Sequence, residues 1–330
     1  MMLNILKILR GHSDKDHRLD LSDIVSFLKE EYGMDAERKA VKRNLMDLEQ
    51  IGFDIRYHKI IRSKGQPNEN IICKDYYLER FFTDGELECL IDMVLFSPQI
   101  DQESAAGFIR KLANIGSLSL HVPDDPTLEG TFHSPSTEFF SNLTTLHSAI
   151  HQNRRVSFFL LSYGEDKALH PLQDELLMVS PYWIVANKGL FYLLGAQEGS
   201  RFIQSYPVDR LSSLQILTAR AAKPVSGAVG AEASAGAYLA KHSNLLPGTV
   251  QAIRFTIPAG SLDEVVAQFG TDFTITQNAD GLLYICVDAN PEDVYFWALQ
   301  HGGTVSVLQP SSLRARLLRT AENLYRAYRD

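Results

Sequence analysis

The stretch GLFYLLGAQEGSRFIQSYPVDRL, Gly189–Leu211, reads as two β-strands: a short apolar one, and a second that ends in Asp209 and Arg210. Side chains alternate across a strand, so Phe191 and Leu193 point to one side of the first strand and Tyr192 and Leu194 to the other. Apolar residues on both sides call for cover on both faces. Pro207 lacks an N–H to donate, which places this part of the second strand at a sheet edge or a bulge.

Working outward, the flanking sequence supplies more of the same kind. Residues 155–163, 175–186 and 212–217 also have strand character, and Asn187-Lys188-Gly189 reads as a tight hairpin turn before Leu190. Five short strands after one helix (136–152) predict a small β-barrel. Beyond it, residues 219–236 have the Ala/Gly-rich composition of a flexible linker. The remainder has the order strand, helix, strand, strand, helix, strand and a final helix over 250–328, a ferredoxin-like pattern. Asn290 before Pro291 marks one helix start there.

The N-terminal part has a different texture. Helical patterns cover 3–10, 22–32 and 36–51, with Ile24, Leu28 and Tyr32 and then Val41, Leu45 and Leu48 on their inner faces. Gly33 ends the second helix. Two strands around a turn at Lys64–Asn68 follow. Three helices and a β-hairpin in the first 80 residues give the outline of a winged helix-turn-helix. Two further helices, 82–97 and 104–116, lead to a loop over 121–136. The expected division is therefore 1–80, a helical region 81–135, a barrel 136–218, a linker with a short helix 219–248, and a C-terminal domain 249–330, an α+β multidomain chain.

Composition narrows the function. The chain has 330 residues, 45% hydrophobic and 22% charged, as in ordinary globular proteins. No apolar run approaches the ~20 residues that span a bilayer, and the first residues read as a helix rather than a signal peptide, so a cytoplasmic location is expected. Cys73, Cys89 and Cys286 lie far apart, which argues against structural zinc or a disulfide framework. No phosphate-cradling glycine loop and no nucleophile elbow is present. His147 and His151 have a metal-binding spacing, but Ser-Ala-Ile between them leaves out the glutamate of the zinc-protease motif. His12, Asp14, Asp16 and His17 form a polar loop whose ordinary reading is solvation. The expectation is a protein without catalytic activity, cofactor or metal.

The net charge of −8 hides a local excess: residues 36–66 hold eight Lys/Arg against four Asp/Glu, or +4. Arg38, Lys39, Lys42 and Arg43 open the third helix and Asn44 follows them, with Asp47 and Glu49 behind. That order opposes the helix dipole, which favours anions at the N-terminus by ~0.3–1 kcal/mol each. A helix that enters a major groove needs such cations there, for phosphates and guanine edges. Arg56, Lys59, Arg62 and Lys64 on the hairpin suit backbone contact. The candidate DNA-binding set is Arg38, Lys39, Lys42, Arg43, Asn44, Arg62 and Lys64.

Three segments in this order resemble the bacterial WYL-domain transcriptional regulators: LSDIVSFLKEEYGMDAERKAVKRNLMDLEQIGFDI, then VSPYWIVANKGLFYLL…SYPVDRL, then VYFWALQHGGTVSVLQPSSLRARLLRTAENLYRAY. The resemblance implies a winged helix-turn-helix, a small Sm/SH3-like WYL barrel and a ferredoxin-like WCX domain. It also implies a cytoplasmic homodimer that binds double-stranded operator DNA and answers to a nucleotide or single-stranded nucleic-acid effector. A WYL accessory protein that binds single strands or a nucleotide and regulates a partner enzyme is the alternative. Two positions depart from the family: Phe191 stands where it has Trp, and Pro207 where it usually has Arg. On the sensor face the candidates are Tyr163, Tyr182, Tyr192, Arg201, Tyr206 and Arg210. Each tyrosine also suits a barrel core, and Asp209 with Arg210 also suits a structural turn pair. The five arginines of 314–329 accompany an apolar stripe and read as a solvated face or a second nucleic-acid surface.

Overall fold

The computed structural model describes residues 1–62, 70–117, 120–122, 133–200, 202–223, 234–277 and 281–329. They form two compact units, 1–133 and 134–330. It is a mixed α/β multidomain chain with a curled sheet.

In the first unit, α1 (Met2–His12), α2 (Leu21–Tyr32) and α3 (Arg38–Gln50) precede an antiparallel hairpin, β1 (Ile55–Arg62) and β2 (Asn70–Leu78). The apolar positions of α1–α3 face one another: Ile5, Ile8 and Leu9 meet Ile24, Leu28, Val41, Leu45 and Leu48, and the hairpin closes the cluster with Ile55, Tyr76 and Leu78. Full burial of side chains of this kind is worth roughly 1.5–3 kcal/mol each, which fixes the helices against the hairpin. Leu19 exchanges both backbone hydrogen bonds with Tyr76 at 2.8 Å, adding a one-residue bridge that the polar loop sequence does not announce. Two more helices follow, α4 (Asp84–Leu95) and α5 (Gln102–Ala113). The first is capped by Thr83, whose N–H donates to Glu86 at 2.8 Å while its hydroxyl accepts from the Glu86 N–H at 3.3 Å.

The second unit opens with α6 (Phe139–His151), then β3 (Arg154–Tyr163), β4 (Leu169–Pro171), β5 (Leu177–Asn187), β6 (Leu190–Gln197), β7 (Gln204–Pro207) and β8 (Leu211–Arg220). The strands pair antiparallel in the order β4-β3-β5-β6-β7, and β8 joins β3. Because β3 gives one part of its length to β5, another to β4 and pairs with β8 through two register shifts, the sheet curls. Among the described residues the sheet has six strands rather than the five expected; the extra one, β4, is three residues in a polar segment. Lys188 and Gly189 both have positive φ (50° and 78°), the geometry of the two-residue turn read from the sequence.

Residues 224–233 of the expected linker lie outside the described residues, and the segment 235–248, where a short helix is expected, is packed. In it α7 (Ala235–Lys241) buries Tyr238 against Val185, Leu194, Ile203 and Leu245, with Tyr182, Trp183 and Tyr192 at the margin. The following residues are tied on both sides. Asn187 and Lys188 reach Ser243 and Asn244 at 3.0 and 2.6 Å, and Asn290 donates to the Leu246 carbonyl at 2.7 Å. The segment 235–248 is thus a packed strap.

The last elements are β9 (Gln251–Pro258), α8 (Leu262–Phe269), β10 (Thr274–Gln277), β11 (Leu282–Ala289), α9 (Pro291–Gln300), β12 (Ser306–Gln309) and α10 (Ser311–Ala327). The sheet order is β10-β11-β9-β12, antiparallel throughout. Trp297 fills its core between Phe255 and Phe269, with ring centroids 5.2 and 5.0 Å away. Asn290 caps α9 by accepting from the Glu292 N–H at 3.0 Å, with Pro291 at the first helical position.

Candidate functional site

On α3 the packing stripe Val41, Leu45 and Leu48 turns the opposite face outward. Arg38, Lys39 and Arg43 are exposed on it. Lys42 is half-buried along a crevice with Met46, Glu49, Tyr57, Cys73 and Tyr76. None of the four cations forms an ion pair among the described residues, and no acidic side chain lies in the helix's first turn. The helix start therefore presents its own positive dipole end together with four cations, beside one acidic neighbour, the N-cap residue Glu37, over about 8 Å of axis. Such a surface attracts anions.

Asn44 does not belong to this surface. It is buried, and its amide donates to the Ala40 carbonyl at 2.7 Å, one helical turn back. The spacing already held the reason: position 44 is three after Val41 and four before Leu48, on the inner side of the helix. On the hairpin, Arg56 is engaged by Asp54 at 2.8 Å, and Lys59 lies 5.4 Å from the Tyr57 ring centroid. Lys64 falls outside the described residues, as does the side chain of Arg62, although Arg62 pairs with Asn70 in the hairpin register.

In the second unit a short helical turn, Val208–Arg210, links β7 to β8. It is pinned by Asn142 of α6, whose buried amide donates to the carbonyls of Val208 (3.1 Å) and Leu211 (2.8 Å). That anchor aims Arg210, whose guanidinium carbon lies 5.2 Å from the Tyr163 ring centroid. Tyr192 completes the group: burial pushes its phenol up, and nearby Arg210 partly opposes that rise. Pro207 lies opposite Tyr192 on β7, the terminal strand of the sheet path, so its missing N–H interrupts no inner ladder. Tyr163, Tyr192 and Arg210 are thus brought together.

The other sensor candidates go elsewhere. Tyr206 is a core residue, 3% exposed, with its ring edge-on to Phe158 at 5.3 Å and its hydroxyl donating to Gln204 at 2.6 Å. Burial raises its phenol to about 12. Tyr182 joins the α7 cluster, and its burial-raised phenol is opposed by Arg155 rather than Arg210. Arg201 falls outside the described residues. Arg155, which no motif singled out, lies 3.0 Å from Glu198. Phe191 lies edge-on to Phe139 of α6 at 5.8 Å.

Residues 141–216 match the WYL domain family. This WYL domain runs from α6 into β8 and contains Tyr163, Tyr192 and Arg210. Among solved structures, the chain is similar to Proteasome accessory factor B/C (PafBC) of Arthrobacter aurescens, at 15% identity and a TM-score of 0.29, over 100% of this chain and 49% of that one. It is also similar to a CRISPR Cas-related protein, at 12% identity and a TM-score of 0.36, over 92% of this chain and 77% of that one. The chain thus spans about half the length of the PafBC chain it matches. No curated protein sequence matches it. Among the described residues no helix is long and apolar enough to cross a membrane, and no cluster of three metal-ligating side chains occurs.

Proposed function

We propose that the protein is a ligand-responsive, DNA-binding transcription regulator whose WYL domain is the sensor. In this reading residues 1–80 are a winged helix-turn-helix and residues 249–330 are a ferredoxin-like WCX domain. It acts in the cytoplasm as a homodimer on double-stranded operator DNA and has no catalytic activity of its own. The observation that carries the reading is the α3 surface, where Arg38, Lys39, Lys42 and Arg43 stand without acidic partners at a helix N-terminus. The fold gains nothing from that order of charges, whereas a phosphate backbone and guanine edges do. Two copies would read half-sites about 34–36 Å apart or a multiple of it. The effector would be an anion with a stackable ring, a nucleotide or single strand, held by Arg210 between Tyr163 and Tyr192.

The test begins with genomic fragments retained by the intact protein, followed by mobility-shift titration of the recovered site at fixed salt. Lys42→Ala/Arg43→Ala should weaken that complex by about 1–3 kcal/mol with thermal stability unchanged. Equal affinity of variant and wild type would remove α3 as the reader. Retention of single strands but no duplex would favour the accessory-protein alternative.

A further inference from the structure

Helix α4 is apolar on two sides. Leu87, Ile91, Val94 and Leu95 are buried, and α5 packs beside it with Ala105, Ile109 and Leu112 turned inward. The other side is open among the described residues. Cys89 is exposed at its middle, with exposed Gly85 one turn before it and Met93, 67% exposed, one turn after. At 100° per residue, Gly85 and Met93 each fall within about 40° of Cys89 around the helix. Phe82, just before the cap residue Thr83, and Phe96, just after the last helical residue, are 41% and 61% exposed at the two ends, and Phe81 is wholly exposed. Gly85 has no positive φ, and a Cβ there would meet nothing within 4 Å. The chain's own packing gives no reason for a glycine on this helix, where any residue but proline is better suited.

The order of the stripe identifies the occupant. Phe82 and Phe96 stand seven residues either side of Cys89, and Gly85 and Met93 four residues either side. A second copy of α4, laid antiparallel about a two-fold axis at Cys89, sets Phe82 against Phe96 and Cys89 against Cys89. It also sets Met93 over the open space at Gly85, large against small, twice per pair. The exposed parts of Phe81, Phe82, Met93 and Phe96 amount to about two aromatic side chains and two thirds of a methionine, roughly 500 Å² per copy. Burying them in both copies removes roughly 1,000 Å², what a specific interface needs before its rim is counted. Charge excludes an anionic partner, because Asp84, Glu86, Glu88 and Asp92 are the charged residues of α4 and none is basic. Glu86 and Asp92 lie about 60° to either side of Cys89, on opposite edges of the seam, where the pair leaves them in solvent.

We propose that the outer face of α4 is a homodimer interface, two copies pairing antiparallel about Cys89. This rests on the homodimer part of the proposed function and places the contact in the same compact unit as α3, so one axis relates both α3 surfaces. Light scattering of the full-length protein over a dilution series should show a dimer at micromolar concentration. Met93→Glu and Gly85→Gln should each raise its dissociation constant roughly 100-fold or more, since every dimer carries the change twice at the centre of the seam. Both positions are exposed, so far-ultraviolet circular dichroism should not change. Mild oxidation by diamide, which takes up the electron pair and two protons from the paired thiols, should join the wild-type copies through Cys89. Packed helix axes place facing Cα atoms roughly 5 Å apart, within reach of a disulfide. Cys89→Ser should give no covalent dimer, because Cys73 and Cys286 are part-buried and off the stripe.

A wild-type dimer that both variants form equally well, or one whose Cys89 thiols do not join, overturns this interface and leaves the homodimer reading standing. A wild-type monomer at micromolar concentration overturns both, and gives the stripe to another part of the chain or to another protein. Salt supplies a further check. It screens the acidic rim, so the pair should hold or tighten as salt rises. A dimer that dissociates with added salt is held by ion pairs elsewhere and also overturns the proposal.

Discussion

Helix α3 and the Tyr163–Tyr192–Arg210 group both present arginine to solvent, but they stand differently toward the fold. On α3 packing and chemistry are divided around one helix: Val41, Leu45 and Leu48 hold it, and the cations opposite form no ion pair among the described residues. In the WYL domain the two tasks share elements. Tyr192 borders the α7 core, and Arg210 sits on a turn pinned through buried Asn142. A face divided from its core can change its residues at little cost in stability. A face shared with the core cannot.

The largest effect that would sharpen this contrast is expected at Asp293, on the far side of the strap from the WYL domain. Asp293 is fully buried at the start of α9, with one carboxylate oxygen 3.4 Å from the Leu246 N–H and the other without a hydrogen bond among the described residues. Burial raises its pKa from 3.8 to about 6, opposed by backbone N–H groups of the strap and by Lys188 and reinforced by Glu292. Since the folded pKa exceeds the unfolded one, the folded state binds this proton more tightly. The stabilisation is complete below about pH 4 and is lost as pH rises through 6. At pH 8 the buried charge costs on the order of 3 kcal/mol. Asp293→Asn should therefore stabilise the second unit by up to that amount at pH 8 and by little at pH 4. Denaturant unfolding followed by tryptophan fluorescence checks this, since the two tryptophans, Trp183 and Trp297, both lie in that unit. A gain of equal size at both pH values would break the assignment.

The same contrast explains what could be read from the residues alone. Helices α1–α3, the hairpin and the β9–α10 order were legible because periodicity and caps such as Gly33 and Asn290 are local. The cation face of α3 was legible because a helix separates its faces at fixed spacing. Asn44 was legible too, on the inner side of that spacing, but its polarity masked its position. The packing of the strap at 235–248 was not, because burial of Tyr238 depends on β5 and β6, from Tyr182 to Leu194. Nor was the division of the WYL tyrosines. Alternation says which side of a strand Tyr206 and Tyr192 occupy, but which side of a curled sheet is closed depends on the two register shifts between β3 and β8.

A smaller effect is expected at Tyr206, the candidate that proved to be core. Tyr206→Phe keeps the ring against Phe158 and removes the hydroxyl bonded to Gln204, a loss of about 1 kcal/mol. Nucleotide or oligonucleotide binding to the WYL domain should be unaffected. A variant of full stability that no longer binds such ligands would return Tyr206 to the open face.

The smallest stability effect is expected at Arg210. Its guanidinium covers Tyr163 at the surface, where a cation–π contact is worth about 0.5–1 kcal/mol. If the residue serves a ligand, Arg210→Ala should cost no more than that in denaturant unfolding and should abolish calorimetric binding of nucleotides. Arg210→Lys should restore the charge but not the planar, paired hydrogen bonds to a phosphate, leaving affinity between the two. If Arg210 is instead a strut of the β7–β8 turn, removing it should cost well over 2 kcal/mol. Lysine would then recover much of that cost, and no nucleotide would bind any of the three proteins. Stability and binding move in opposite order under the two readings, so the pair of substitutions separates a cation held for a ligand from one held for the turn.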